Sequence, residues 1–80
     1  MELTLYQDSA LTRDLPEHSL RRGDVVRVVD RHTVSDGSEG YSIEVFNALG
    51  DTILVTAVPA TALEPLRADE VLCARPMNVS

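Results

Sequence analysis

Three segments of the chain carry the apolar patterns of β-strands. Residues 24–30 are rich in β-branched valine, and these valines fall on both faces, as expected for a strand in a small, strongly curved barrel. Residues 41–46 alternate with period two, which places Tyr41, Ile43 and Val45 on one face. Residues 52–58 form a third apolar run. These three segments predict the central strands of one sheet.

Turn signals and two shorter segments complete the predicted order. A polar cluster at residues 35–40 predicts a longer hairpin loop, and Asn and Gly within residues 47–51 predict a tight one. Proline at position 59 ends the third strand because it cannot donate a ladder hydrogen bond. We also expect a short strand at residues 9–12, an irregular stretch at 13–23, a 3-10 turn within 59–63 and a closing strand at 64–66.

This order predicts a mainly β fold, a small five-stranded SH3-like barrel over residues 1–67 with a 3-10 turn before the last strand. Residues 68–80 are predicted to be a short C-terminal tail. Its segment 68–75 has acids early and an arginine at its end, which suits a short helix, but an edge strand or an irregular tail fits equally well. Pro76 ends either element.

Composition narrows the class of protein. An 80-residue chain forms one domain, and its 13 acidic and 7 basic side chains give a net charge of −6. A lone cysteine, Cys73, excludes an intramolecular disulfide and indicates a reducing compartment. No apolar run approaches the roughly 20 residues that span a bilayer, and the first residues do not resemble a signal peptide. We therefore expect a cytoplasmic protein that does not bind membranes.

No residue pattern indicates catalysis, a metal site or a cofactor. His18 and His32 are the only imidazoles, and no third ligand stands at a spacing that predicts convergence, so we interpret both as solvated loop residues. The serines form no nucleophile elbow, and no glycine-rich phosphate loop occurs. Cys73 follows two apolar residues, and we interpret it as a small hydrophobe. The chain is predicted not to be an enzyme.

Two segments are candidate partner-binding sites. Arginines cluster in residues 21–31, where those on the strand occupy alternating positions and can present guanidinium groups to an acidic partner. The alternative is a salt-bridged face shared with Glu17, Asp24 and Asp30. The apolar tail segment either caps the barrel or contacts another chain. The predicted partner-binding residues are Arg21, Arg22, Arg27, Arg31, Val71 and Leu72.

Residues 11–29, LTRDLPEHSLRRGDVVRVV, resemble the opening of an uncharacterised family of short bacterial proteins with the pattern LTxDLPExGLxxGDxGTVV. The similarity continues through residues 41–46 and 52–65. The resemblance implies an SH3-like barrel and genes that often lie beside another small open reading frame, as in toxin and antitoxin or immunity pairs. The chain departs from the pattern at Ser19, where the family has glycine, and at Val26 and Arg27, where it has glycine and threonine. Gly23 and Asp24 match, and we assign them to the turn into the strand.

Three functions follow as hypotheses. The first is a protein-binding module, an antitoxin or immunity-like partner of a small neighbouring toxin, whose acidic surface covers a basic active site. The second is a nucleic-acid-binding SH3-like module, which needs a segregated basic face and exposed aromatic residues. The third is an accessory small-barrel subunit of an enzyme. The acidic composition and the resemblance favour the first.

Overall fold

In the computed structural model, which describes residues 3–33 and 35–77, five strands form one antiparallel sheet. In sheet order the strands are β4, β3, β2, β1 and β5, so β4 and β5 are the two edges. No α-helix occurs in the described part of the chain. The elements are β1 (Asp8–Leu11), a first 3-10 turn (Pro16–His18), β2 (Val25–Thr33), β3 (Glu39–Phe46), β4 (Thr52–Pro59), a second 3-10 turn (Ala60–Ala62) and β5 (Leu63–Pro65).

The predicted mainly β fold is confirmed, with five strands and a 3-10 turn before the last one. Closure of the sheet into a barrel is not confirmed, because among the described strands β4 and β5 do not pair with each other. The β2–β3 hairpin extends further than predicted, since polar residues continue the ladder from Arg31 opposite Tyr41 to Thr33 opposite Glu39. The apolar pattern did not predict this extension because the side chains at this end of the hairpin are polar.

One face of the sheet carries the core. The alternation predicted for β3 is confirmed, because Tyr41, Ile43 and Val45 are all buried. Val26 and Val28 of β2 lie beside them, whereas Val25 and Val29 are only half-buried and Arg27 is exposed. Burial of these apolar side chains is the main favourable contribution to folding.

The connection between β1 and β2 is mostly irregular, as predicted, but it contains a 3-10 turn and an isolated bridge between Leu15 and Leu20. Leu15 and Leu20 are buried and exchange two backbone hydrogen bonds, of 2.9 and 3.1 Å, around the first 3-10 turn. His18 Nε2 lies 3.3 Å from the hydroxyl of Thr56, which links this loop to β4. Two buried leucines on either side of a proline-initiated turn therefore fold the loop back onto the core.

The turn into β2 has the geometry predicted for Gly23 and Asp24. Gly23 has φ +90°, a conformation that glycine adopts at little cost, and its N–H donates to the carbonyl of Leu11 at 2.8 Å. The Asp24 carboxylate accepts the backbone N–H of Arg21 at 2.8 Å. The assignment of this pair to a structural role is confirmed.

The tail contains neither the short helix nor the edge strand that were alternatives for residues 68–75. A turn closed by the Glu70 N–H and the Arg67 carbonyl, 3.1 Å apart, follows β5, and the chain then continues without regular structure. Arg75 pairs with Asp24, and the half-buried Met77 packs against the core. The tail is thus held against the sheet by side chains; its last residues, 78–80, lie outside the described residues.

Candidate protein-binding surface

A β-bulge separates two of the arginines that were predicted to share a face. The β2–β3 register shifts between Val28 and Asp30, so one extra residue stands in β2. Arg27 lies opposite Glu44 on the outer face of the sheet, and Arg31 lies opposite the buried Tyr41. Because one inserted residue inverts the alternation, the two guanidinium groups leave opposite faces.

Arg27 is held within the sheet surface. Its Nε lies 3.2 Å from the Asp8 carboxylate on β1, and its guanidinium carbon lies 5.0 Å from the centre of the Phe46 ring on β3. Ion pairing and a cation–π contact fix this side chain in a mixed surface. Arg27 is thus salt-bridged, but to Asp8, which the salt-bridged alternative did not name.

The remaining predicted arginines lie on loops or at the end of β2. The backbone N–H groups of Arg21 and Arg22 donate to Asp24 and Asp14, at 2.8 and 2.9 Å, while their side chains are exposed. The Arg31 N–H donates to the Asp30 carboxylate at 2.8 Å. Arg27 and Arg31 therefore do not share one basic face, while Arg21 and Arg22 lie in the loop before β2.

The apolar tail pair is exposed. Val71 and Leu72 are 91% and 68% exposed, so neither caps the sheet in the described chain. Cys73, which was interpreted as a small hydrophobe, is also an exposed free thiol. These residues are exposed because they lie between two contacts of the tail, the turn at residues 67–70 and the Arg75 pair. The role of Val71 and Leu72 in partner binding stays a prediction.

Arg75 makes the strongest charged contact of the tail. Its guanidinium donates to both carboxylate oxygens of Asp24, from Nε at 2.9 Å and from Nη2, and Nη2 also lies 3.2 Å from the Ser19 carbonyl. Burial raises the pKa of Asp24, but hydrogen bonds from Arg75 and the Arg21 N–H outweigh it, so the pKa lies below its ordinary value. An adjacent cleft of about 230 Å³ is lined by Asp14, Pro16, Ser19, Leu20, Arg21 and Arg75.

The two histidines have different surroundings. His18 is half-buried against Thr56, whereas the imidazole of His32 lies over Gly40. A Cβ atom at position 40 would stand 2.9 Å from His32 Cε1 and 3.2 Å from the Val58 carbonyl, so glycine leaves the room that the ring occupies. Within residues 3–33 and 35–77, no group of three or more His, Cys, Asp or Glu side chains is placed to hold a metal ion.

The outer face of β4 carries exposed apolar residues. Val55, Ala57 and Pro59 alternate along one side of the strand and are exposed; we call these three residues the β4 outer face. Val55 is 61% exposed and lies opposite Glu44. Apolar side chains grouped at an exposed sheet surface are typical of interaction sites.

A shallow groove extends this face toward the β2–β3 hairpin. It has a volume of about 310 Å³. Ala57 and Pro59 form its apolar side, and His32 and Glu39 form its polar side. The groove thus joins the apolar β4 outer face to a carboxylate and an imidazole at the same end of the sheet.

The chain segment that contains β4 carries charge of one sign. Residues 32–66, which include β3, β4 and β5, contain five acidic residues and no lysine or arginine; we call them the acidic half. β4 itself carries no charged residue. The predicted binding residues include none from this surface, although a window of 35 residues without lysine or arginine is visible in the sequence. The acids are Asp36, Glu39, Glu44, Asp51 and Glu64.

Comparisons with known proteins place the chain in a family. In the described residues, no helix combines the length and apolar character needed to cross a membrane. No curated protein and no solved structure matches the chain. A family model described as a domain of unknown function (DUF4926) matches residues 5–70, which include all five strands and both 3-10 turns. The chain therefore belongs to the DUF4926 family, in agreement with the predicted resemblance to an uncharacterised family.

Proposed function

We propose that this protein is a non-catalytic protein-binding module that covers a basic surface of its partner with the β4 outer face and the carboxylates around it. The observation that carries the proposal is the acidic half, in which the uncharged edge strand β4 pairs with β3, a strand that carries Glu39 and Glu44 and no lysine or arginine. In the cell, the partner is a small toxin encoded by an adjacent gene, and this chain acts as its antitoxin or immunity protein in the cytoplasm.

The known composition of protein interfaces supports a protein-binding role. Protein interfaces combine an apolar centre with a polar rim, and complementary charge accelerates encounter and selects the partner. Val55 and Ala57 supply an apolar centre, while Glu39 and Glu44 lie on the neighbouring strand. Such a surface suits a protein that displays lysine and arginine, such as an enzyme whose active site binds nucleic acid.

The same features argue against direct nucleic-acid binding. An acidic surface repels phosphates, and stacking on bases requires exposed aromatic rings. Tyr41 is buried and Phe46 lies beneath Arg27, which leaves Tyr6 as the exposed ring of the described residues.

We also propose that the sheet is that of an SH3-like small barrel. The antiparallel strand order β4-β3-β2-β1-β5 and the 3-10 turn before β5 support this architecture. The contact between His18 and Thr56 supports it too, because it brings the β1–β2 loop against the core side of β4.

Co-expression with the product of the adjacent gene tests the function. We expect the two proteins to co-purify and the toxicity of the neighbour to be neutralised. Glu39→Lys, at the groove, should weaken binding about tenfold or more because it places a cation against a basic partner. The matched control is Glu17→Lys, an equal charge change on the exposed first 3-10 turn, which should bind normally. A neighbour that is neither bound nor neutralised would contradict the proposal.

A further inference from the structure

We infer that the free edge of β4 binds an extended, basic segment of the partner as a sixth strand of the sheet. This inference rests on the proposed function, which makes the partner a protein. It adds the way in which the partner is bound. In strand addition, main-chain hydrogen bonds supply affinity and side chains on alternate positions supply specificity.

Hydrogen bonds on β2 show which β4 groups point away from the sheet. The Val28 N–H donates to the Gln7 carbonyl at 3.1 Å, and the Val28 carbonyl accepts the Tyr6 N–H, so both groups face β1. Ile43 lies opposite Val28, and its own N–H and C=O consequently face β4, where Thr56 is its partner. In an antiparallel ladder, bonded and non-bonded positions alternate along the strand.

Val55 and Ala57 lie on either side of Thr56, so their N–H and C=O groups point away from β3, at the free edge of the sheet. Their side chains are exposed as well, on the β4 outer face. Each of these two residues thus offers a donor, an acceptor and an apolar side chain to an added strand.

The middle of β4 lacks the devices that usually protect sheet edges. Natural edges are shortened, charged, interrupted by bulges or proline, or covered by other elements. β4 has eight uncharged residues, a register shift only near its start, between the Val45 and Phe46 pairs, and a proline only at its end. No described strand pairs with the free edge of β4. The opposite edge, β5, has only three residues.

Charge selects a basic segment over a second copy of this chain. Pairing two β4 edges would bring the Glu39, Glu44 and Asp51 carboxylates of one copy toward those of the other, with no lysine or arginine on β3 or β4 of either copy. The repulsion between these like charges opposes association of two copies. Lysine or arginine on an incoming strand instead complements the charges of Glu39 and Glu44.

Short synthetic peptides test the inference on the full-length chain. The probe is an acetylated peptide of alternating valine and lysine, and its control alternates valine and glutamate. We expect only the lysine peptide to bind, and its binding should slow amide exchange at Val55 and Ala57 about tenfold or more. The Ala57→Pro variant removes one outward N–H without removing a β3–β4 bond, and it should weaken binding about tenfold. Ala57→Ser keeps the N–H and should bind normally.

Exchange in the unmodified chain gives a readout that does not depend on how well Ala57→Pro folds. Absent binding of the lysine peptide, equal binding of both peptides, or unchanged exchange at both amides would overturn strand addition. Protection of these amides that grows with the concentration of the chain alone would assign the edge to a second copy and overturn it too. A neighbour that co-purifies equally with Ala57→Pro and leaves both amides unprotected would refute strand addition yet retain the proposed function.

Discussion

Ser19 shows how a single position limits this loop. It has φ 59° and ψ 27°, the left-handed conformation that glycine adopts without a Cβ clash. A serine in this conformation carries a Cβ that glycine lacks. Ser19 therefore stores strain beside its own carbonyl, which Arg75 contacts.

Replacing Ser19 by glycine is expected to stabilise the fold. The left-handed strain is removed, while part of the gain is offset by the greater freedom of glycine in the unfolded chain, so we expect about 0.5–1 kcal/mol. Urea unfolding followed by circular dichroism measures the free energy of unfolding. Ser19→Ala, which retains a Cβ, should give no such gain, and equal stability of the glycine and alanine variants would show that the strain is absent.

At the scale of elements, strands were predictable and the irregularities between them were not. The buried alternation of Tyr41, Ile43 and Val45 was readable because side-chain direction has period two. The bulge after Val28 was not, because four valines stand in this segment and the apolar pattern fits with or without an extra residue. Its consequence, the separation of Arg27 from Arg31, was therefore also beyond the sequence.

The tail is an element held by a contact that no local pattern encodes. Arg75 and Asp24 are 51 residues apart, and their side chains are 25% and 19% exposed. The acids and the arginine of this segment suited a short helix, but the arginine instead forms a two-pronged pair with the turn that precedes β2. Such bidentate pairs are stronger than single contacts on open surface.

Arg75→Gln should release the tail and lower the free energy of unfolding by about 1 kcal/mol at pH 7. The matched control is Arg67→Gln, since the Arg67–Asp69 pair, at 3.4 Å, is largely exposed and should contribute little. Urea unfolding of the three proteins gives the comparison, and an equal effect of both substitutions would contradict a structural role for the Arg75 pair.

The pH dependence separates the ion pair from simple packing of the tail. The pKa of Asp24 is lower in the folded chain, so its contribution to stability is present above the unfolded pKa of about 4 and is lost as pH falls through the folded value. Arg75 stays charged throughout this range. The difference between wild type and Arg75→Gln should therefore shrink below about pH 4; a constant difference would indicate packing alone.

For the whole molecule, the sign of the charge was readable from composition, but its placement was not. The net charge of −6 indicated a protein partner, whereas the exposure of the uncharged strand β4 at a sheet edge within the acidic half depends on strand order. Strand order is a long-range property, and the local patterns identified the strands without identifying the edges. This explains why the predicted binding residues were arginines and apolar tail residues, while the surface that we propose lies on β4.

Residue-resolved amide exchange of the isolated protein and of its complex with the neighbouring gene product tests the central claim most directly. In the isolated protein, the Thr56 amide should exchange slowly because it bonds to β3, and the Val55 and Ala57 amides should exchange rapidly because they face solvent. In the complex, all three should be protected. Slow exchange at Val55 and Ala57 in the isolated monomer, or rapid exchange there in the complex, would contradict the account.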